Sequence, residues 1–166
     1  MELRLTKAIL VAALSAFCLM VAYGNLADYG SNYTFVRHVL SMDTTFPGNG
    51  LMSRAVTDPL AWQLAYAGII ATEAASGILL GIGALTMLAR LRAPTADFER
   101  AKRLVYLGAT LAFLLWFFGF MVVAGEYFAM WQSKDWNGQE AAFRFYVAVL
   151  GVLLLVALPE PDAGRR

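Results

Sequence analysis

The chain has 166 residues, a formal net charge of +1, 60% apolar residues and 15% charged residues, where soluble domains run at about 45–50% and 25%. That composition excludes an ordinary soluble fold and defines an integral membrane protein, with room for four spans but not for a soluble domain beside them. The basic residues form no aromatic-interleaved stripe, which excludes nucleic acid as a partner, and the lone Cys18 excludes an intramolecular disulfide, a CxxC pair and a cysteine-based zinc site.

Arg4 and Lys7 precede an apolar run from Ala8 to Tyr23, an opening that secretory signals share. Ala22-Tyr23-Gly24 is a poor cleavage site, so the run is expected to be retained as a first transmembrane helix over residues 8–26. Residues 27–59 form a loop too long and too rich in aromatic and apolar residues for a plain linker, and it is expected to fold. From Thr34 to Met42, Phe35, Val36, Val39 and Leu40 fall on one helical side, while Arg37, His38 and Ser41 fall elsewhere. This pattern predicts a short helix lying on the bundle or at the lipid interface, followed by a turn through Asp43-Thr44-Thr45-Phe46-Pro47-Gly48-Asn49-Gly50. His38 is the only histidine. It is a candidate titrating group and stands four residues from Met42, an incomplete soft-metal pair, but a surface or hydrogen-bonded imidazole is the plainer reading. A single histidine also removes bis-histidine haem, so neither a cofactor nor a metal is expected.

The second span covers residues 60–89, opened by Asp58 as a cap and Pro59 in the first turn. Glu73 is the one formally charged residue from Leu60 to Ala89. An acid near mid-membrane costs roughly 2.5 to 3.5 kcal/mol on insertion scales, so Glu73 is expected to face protein or water rather than lipid. Glu73, Gly77 and Gly81 share one helix face, with Ser76 beside them, and the two glycines allow another helix to approach closely. Glu73 is then either structural polar glue or a working acid.

The third span covers residues 104–126, with Thr95 as a candidate cap upstream and Asp97 and Glu99 suited to the positive helix end. Gly108, Ala112, Leu115, Gly119, Val122 and Glu126 fall on one stripe, which predicts a packing face carrying a second acid near the outer surface. If both stripes face inward, Glu73 and Glu126 line a wet crevice open to the outside. The segment 127–141 is dense in aromatics and amides, Trp131 and Trp136 among them. An interfacial anchor is its plainer reading, and a lipid, quinone or protein surface the sharper one. The fourth span covers residues 142–158 and is closed by Pro159 and Pro161. Arg144, at its outer start, is expected to snorkel outward or pair with Glu126 or Glu140.

The expected fold is all-α: a single domain forming an antiparallel four-transmembrane-helix bundle, with a short interfacial helix in the first outer loop. Nine Lys and Arg residues fall on the side of the two termini (Arg4, Lys7, Arg90, Arg92, Arg100, Lys102, Arg103, Arg165 and Arg166). Four fall on the other (Arg37, Arg54, Lys134 and Arg144). The asymmetry predicts cytoplasmic termini, with loops 27–59 and 127–141 outside. No Ser/His/Asp order, phosphate-binding glycine loop or paired-histidine motif is present.

The outer segments Asn32-Tyr33-Thr34-Phe35-Val36-Arg37-His38-Val39-Leu40-Ser41-Met42-Asp43-Thr44-Thr45-Phe46 and Gly125-Glu126-Tyr127-Phe128, continuing through Trp131-Gln132-Ser133 to Phe143-Arg144, resemble those of a bacterial family of predicted small integral membrane proteins of unknown function. The resemblance covers nearly the whole chain. It implies a bacterial inner membrane and four helices, and it brings no catalytic or ligand residue. Three functions compete. The first is a non-enzymatic accessory or scaffold subunit that meets another membrane protein, or further copies of itself, through its helix seams. The second is a small proton- or cation-linked transporter using Glu73 and Glu126. The third is a quinone- or lipid-handling enzyme with Glu73, Glu126 or His38 as acid/base groups.

Overall fold

A computed structural model of the chain describes residues 1–160. Pro161, Arg165 and Arg166 lie outside them. The described residues are all-helical: α1 (Glu2–Ala27), α2 (Tyr29–Ser41), α3 (Pro59–Ala89), α4 (Thr95–Ala101), α5 (Arg103–Phe113) and α6 (Gln139–Ala157). α5 continues without a break as a π-helical segment, Leu114–Tyr127, whose i→i+5 bonding persists to the Phe128 N–H on the Val123 carbonyl at 3.0 Å. Four helices are long and apolar enough to cross a membrane: α1, α3, the run Thr95–Tyr127, and α6. They close a square in which α1 meets α3, α3 meets α5, α5 meets α6 and α6 returns to α1. Consecutive spans are neighbours, α1 and α3 joined through the segment that holds α2, and α6 closes the ring on α1.

Two heptad seams hold α1 to α3. On α3 the buried residues Tyr66, Ile70, Glu73, Gly77, Leu80, Ala84 and Met87 alternate by four and three. On α1, Ala8, Val11, Ser15, Cys18, Ala22 and Asn25 do the same, the spacing that keeps one stripe against a partner helix. The glycines set how closely the helices approach. A Cβ on Gly77 would stand 2.7 Å from Leu19 Cγ, and one on Gly81 would stand 2.9 Å from Ser15 Oγ. Ser15 uses the contact to donate to the Gly77 carbonyl at 2.7 Å. On the opposite flank of α3, Gly83 meets Val105, and Gly108 of α5 meets Leu80 and the Ser76 carbonyl. Leu64, Ile78, Ile82 and Leu85 of α3 remain exposed, as expected where the surroundings are acyl chains rather than water.

The helix ends differ in detail from the sequence expectation. Asp58 caps α3 as predicted, its carboxylate accepting from the Leu60 N–H at 2.9 Å. Thr95 does not cap α4: Pro94 holds that position, and the Thr95 hydroxyl accepts from Arg4 at 3.2 Å instead. The interfacial helix is longer than Thr34 to Met42, running from Tyr29, and it ends in Met42 with a left-handed φ of 53°. That conformation disfavours a side chain with a Cβ. Burial of the Met42 side chain among Val39, Phe128 and Met130 holds it.

The end of the bundle that carries both α1 and α4 is closed by a buried ion cluster. Lys7 Nζ donates to Glu160 Oε1 and to the Leu158 carbonyl, both at 2.6 Å. Lys102 Nζ lies 3.2 Å from the same carboxylate and 2.7 Å from Glu99. Arg4 donates to the Leu91 and Ala93 carbonyls and lies over the Phe98 ring. The cluster ties the ends of α1, α3 and α6 to the α4–α5 junction. Burial alone would raise the Glu160 carboxyl, but hydrogen bonds and charge from Lys7 and Lys102 outweigh it and hold the group below its ordinary value of 4.5. A carboxyl depressed in the folded state contributes stability above its ordinary value and loses that contribution as pH falls through the folded value. Glu160→Gln leaves the buried Lys7 ammonium without its anion and Lys102 with Glu99 alone, and is expected to cost about 3 kcal/mol at neutral pH. Thermal unfolding in detergent should show the gap to wild type closing as pH falls below 4.5; a gap unchanged at about pH 3 would contradict the linkage.

Candidate functional site: a buried acid facing an amphipathic cavity

Glu73 lies fourteen residues into α3, about 21 Å along its axis from Pro59. Its heptad position turns it toward α1, and it is 2% exposed. Lipid offers a carboxyl no hydrogen bond, so the neighbouring helices must supply one. Asn25, near the end of α1, does so: its Nδ2 donates to Glu73 Oε2 at 2.7 Å. Asn25 is itself held twice. Asn32 Nδ2 of α2 donates to its side-chain oxygen at 2.7 Å, and the Tyr66 hydroxyl of α3 donates to its carbonyl at 2.9 Å. This chain of polar groups runs from the α2 cap into the bundle and ends on the acid. Among the described residues no partner reaches the other carboxyl oxygen, Oε1, which is not enclosed without a partner either. Glu73 lines a cavity of about 230 Å³, the open space beside the carboxyl.

The cavity sits where four spans and α2 converge. α1 contributes Asn25, α2 contributes Asn32 and Phe35, α3 contributes Tyr66 and Glu73, the π-helical segment contributes Trp116 and Phe120, and α6 contributes Phe145. One end is therefore polar and the walls are apolar and aromatic. A second cavity of about 180 Å³ adjoins it and shares the wall formed by Phe35, Val36, Ile69 and Phe120. Its lining has no polar side chain; Val39, Leu115, Gly119 and Phe128 are among its residues. Phe35 and Phe120, stacked 6.1 Å apart, form the partition between the two.

Glu126 does not reach this cavity. It is exposed, and so is Val122, although both fall on the stripe read from Gly108. The reason is the π-helical segment. Its wider turn moves the inward face to Ala112, Trp116, Phe120 and Gly125, so a stripe drawn at α-helical spacing rotates out of the bundle beyond Leu115. Gly119 likewise meets only its own helix, at Leu115 and Leu114, and lines the apolar cavity instead of a helix seam. Gly125 is the residue of this segment that admits a neighbour, Gln139 of α6.

The remaining candidates belong to the cap. His38 stacks on Trp136 with ring centroids 4.6 Å apart, and its Nδ1 lies 2.8 Å from Asp43. Arg37 lies 3.0 Å from its other nitrogen. His38 thus knits α2 to the 128–138 loop and has no contact with Glu73, while Met42 turns into the apolar cluster of the cap. Trp131 is 47% exposed and meets Phe46 edge-on. Arg144 lies 3.8 Å from Glu140, both side chains largely exposed, and so contributes little. Among the described residues no group of three or more His, Cys, Asp or Glu side chains is placed to hold a metal.

Sequence reasoning missed Asn25 as the partner of the acid, and Asn32 and Tyr66 as the residues that hold Asn25. Tyr66 was within reach, since it lies seven residues before Glu73 on one heptad stripe. Asn25 and Asn32 carried no signal, because their contacts depend on how α2 folds back over α1.

A bundle of four spanning helices with a folded cap over a buried acid defines a polytopic integral membrane protein. The chain belongs to the family described as predicted small integral membrane protein (DUF2165), whose model matches residues 3–159. No curated protein and no solved structure matches it.

Removing Asn25 should expose how much the acid depends on it. Asn25→Ala leaves Glu73 Oε2 and the Asn32 amide without their partners, and is expected to lower stability by about 1–3 kcal/mol. Tyr66→Phe, which removes one neutral bond to a carbonyl, should cost about 1 kcal/mol. Thermal unfolding of the two variants in one detergent checks the order; equal losses would contradict a central role for Asn25.

Proposed function

We propose that this protein is a binding protein of the membrane that holds a small amphipathic molecule, with the ligand's polar head at Glu73, Asn25 and Asn32 and its apolar body among Phe35, Phe120 and Phe145. The observation that carries the reading is a nearly fully buried carboxyl that lines, with Asn25 and Asn32 beside it, a cavity whose remaining walls are largely apolar and aromatic. Such a cavity, with a few convergent polar groups, is the usual form of a small-molecule site. Its size suits a ring or a short chain: a dry cavity of about 150 Å³ already takes benzene.

The competing readings lose their footing at particular residues. A scaffold needs free helix seams, but Gly77 and Gly81 are taken up by α1, and Gly83 and Gly108 by the α3–α5 contact. A proton path needs a series of ionisable groups. Glu126 faces outward, and below the cavity α3 and α5 meet through Leu80, Ala84, Val105 and Ala109. An enzyme needs a second group near the acid, and His38 is engaged elsewhere.

As part of this reading we place the protein in a bacterial inner membrane with both termini cytoplasmic and the cap outside, on the asymmetry of Lys and Arg. A cysteine at exposed Asp135 should then react with a membrane-impermeant thiol reagent in intact cells, and one at exposed Arg92 should not; the reverse pattern would invert the topology.

The binding reading is tested with the neutral probe 4-phenylbutan-1-ol. A saturable change in tryptophan emission, carried by Trp116 in the cavity lining, is expected in wild type and should be absent in Ala141→Phe, which fills the cavity from α6. An identical non-saturable change in both proteins would mean partition into detergent and would remove the site.

A further inference from the structure

Resting on that binding reading, we infer that the ligand's head group is an organic cation, an ammonium seated between the Glu73 carboxylate and an aromatic cage. Three observations converge. Among the described residues Glu73 has no counter-cation: none of the side chains that line the cavity is Lys, Arg or His. Of the basic residues at the cap, Arg37 lies beside His38, Arg54 donates to the Tyr127 carbonyl, Arg144 lies beside Glu140 and Lys134 is exposed. A buried carboxyl without a paired charge either holds a proton or meets a cation, and a bound ammonium is the partner that keeps it ionised.

The second observation is the hydrogen-bond sense of the site. Glu73 Oε2 is satisfied by the Asn25 amide, and the Asn25 oxygen and carbonyl are satisfied by Asn32 and Tyr66. The carboxyl oxygen left without a partner among the described residues is Oε1; as a carboxylate oxygen it accepts, so the complementary head is a donor and an anionic head is repelled.

The third is the wall. Phe35, Tyr66, Trp116, Phe120 and Phe145 are five aromatic side chains around one carboxyl, and Trp116 and Phe145 hold each other edge-on at 5.4 Å. Aromatic faces attract a cation more strongly once it has left water, which is how aromatic cages select ammonium ligands. A site for a neutral lipid tail has no use for the acid. A site for an inorganic cation would need more oxygen ligands than this cavity offers.

The test is a series with one phenylbutyl body and three heads: 4-phenylbutylamine, 4-phenylbutan-1-ol and 4-phenylbutyrate, titrated into the detergent-purified full chain at neutral pH. The amine should bind about tenfold or more tighter than the alcohol, and the carboxylate should not bind saturably. Glu73→Gln should bring amine and alcohol to within about twofold while retaining the alcohol's affinity, the amide still hydrogen-bonding Asn25. Phe145→Leu, remote from the polar chain, should narrow the amine's advantage without touching the carboxyl, and it keeps the test open if the Gln variant does not fold. If the alcohol binds saturably and the amine gains nothing, the cation is wrong and the binding reading stands. If an amine preference survives Glu73→Gln unchanged, the assignment of the acid is wrong. If none of the three binds, both readings fall together.

Discussion

A carboxyl between two spanning helices has only other protein groups for hydrogen bonds, and much of this molecule follows from meeting that need. Glu73 is reached by Asn25, Asn25 is reached by Asn32 and Tyr66, and those residues come from α1, α2 and α3. Helix α2 folds back over the end of α1, so the 28–58 connection is a packed element rather than a tether. The same chain of bonds leaves the second carboxyl oxygen of Glu73 without a partner among the described residues.

The two ends of the bundle solve different problems. At the end with α4, Lys7 and Lys102 are neutralised by Glu160 and Glu99: the Lys7, Lys102 and Glu160 side chains are at most 1% exposed, and the Leu158 carbonyl takes a further Lys7 proton. The arrangement closes and anchors. At the capped end the buried acid is held by one amide, Asn25, which an amide and a hydroxyl hold in turn, and none of these carries a compensating charge. The first is a finished electrostatic cluster and the second an unfinished one, and this contrast gives the capped end its functional interest.

The π-helical segment is the structural device that makes the cavity possible. Had the third span remained α-helical, its inward stripe would have continued through Gly119 and Val122 to Glu126. The wider turn presents Trp116 and Phe120 instead, and Gly125 lets α6 approach through Gln139. Two aromatic walls and the outward position of Glu126 are thus one event. Departures of this kind inside helices are frequent at functional sites.

Four spans, their approximate limits, the folded outer helix and the inward turn of Glu73 were legible in the sequence, because each depends on local composition and periodicity. Lipid enforces those rules strictly: a span must be apolar and helical, and an acid within it must find protein. The seven-residue stripe from Tyr66 through Glu73 to Met87 carried the α3 seam in its spacing alone. What only the tertiary structure decided was who meets the acid and which face the third span presents. Asn25 and Asn32 come together through the fold-back of α2, and Glu126 leaves the interior because the helix changes its bonding register at Leu114. Those outcomes depend on the free energy of packing several elements at once, which no stretch of chain read by itself contains.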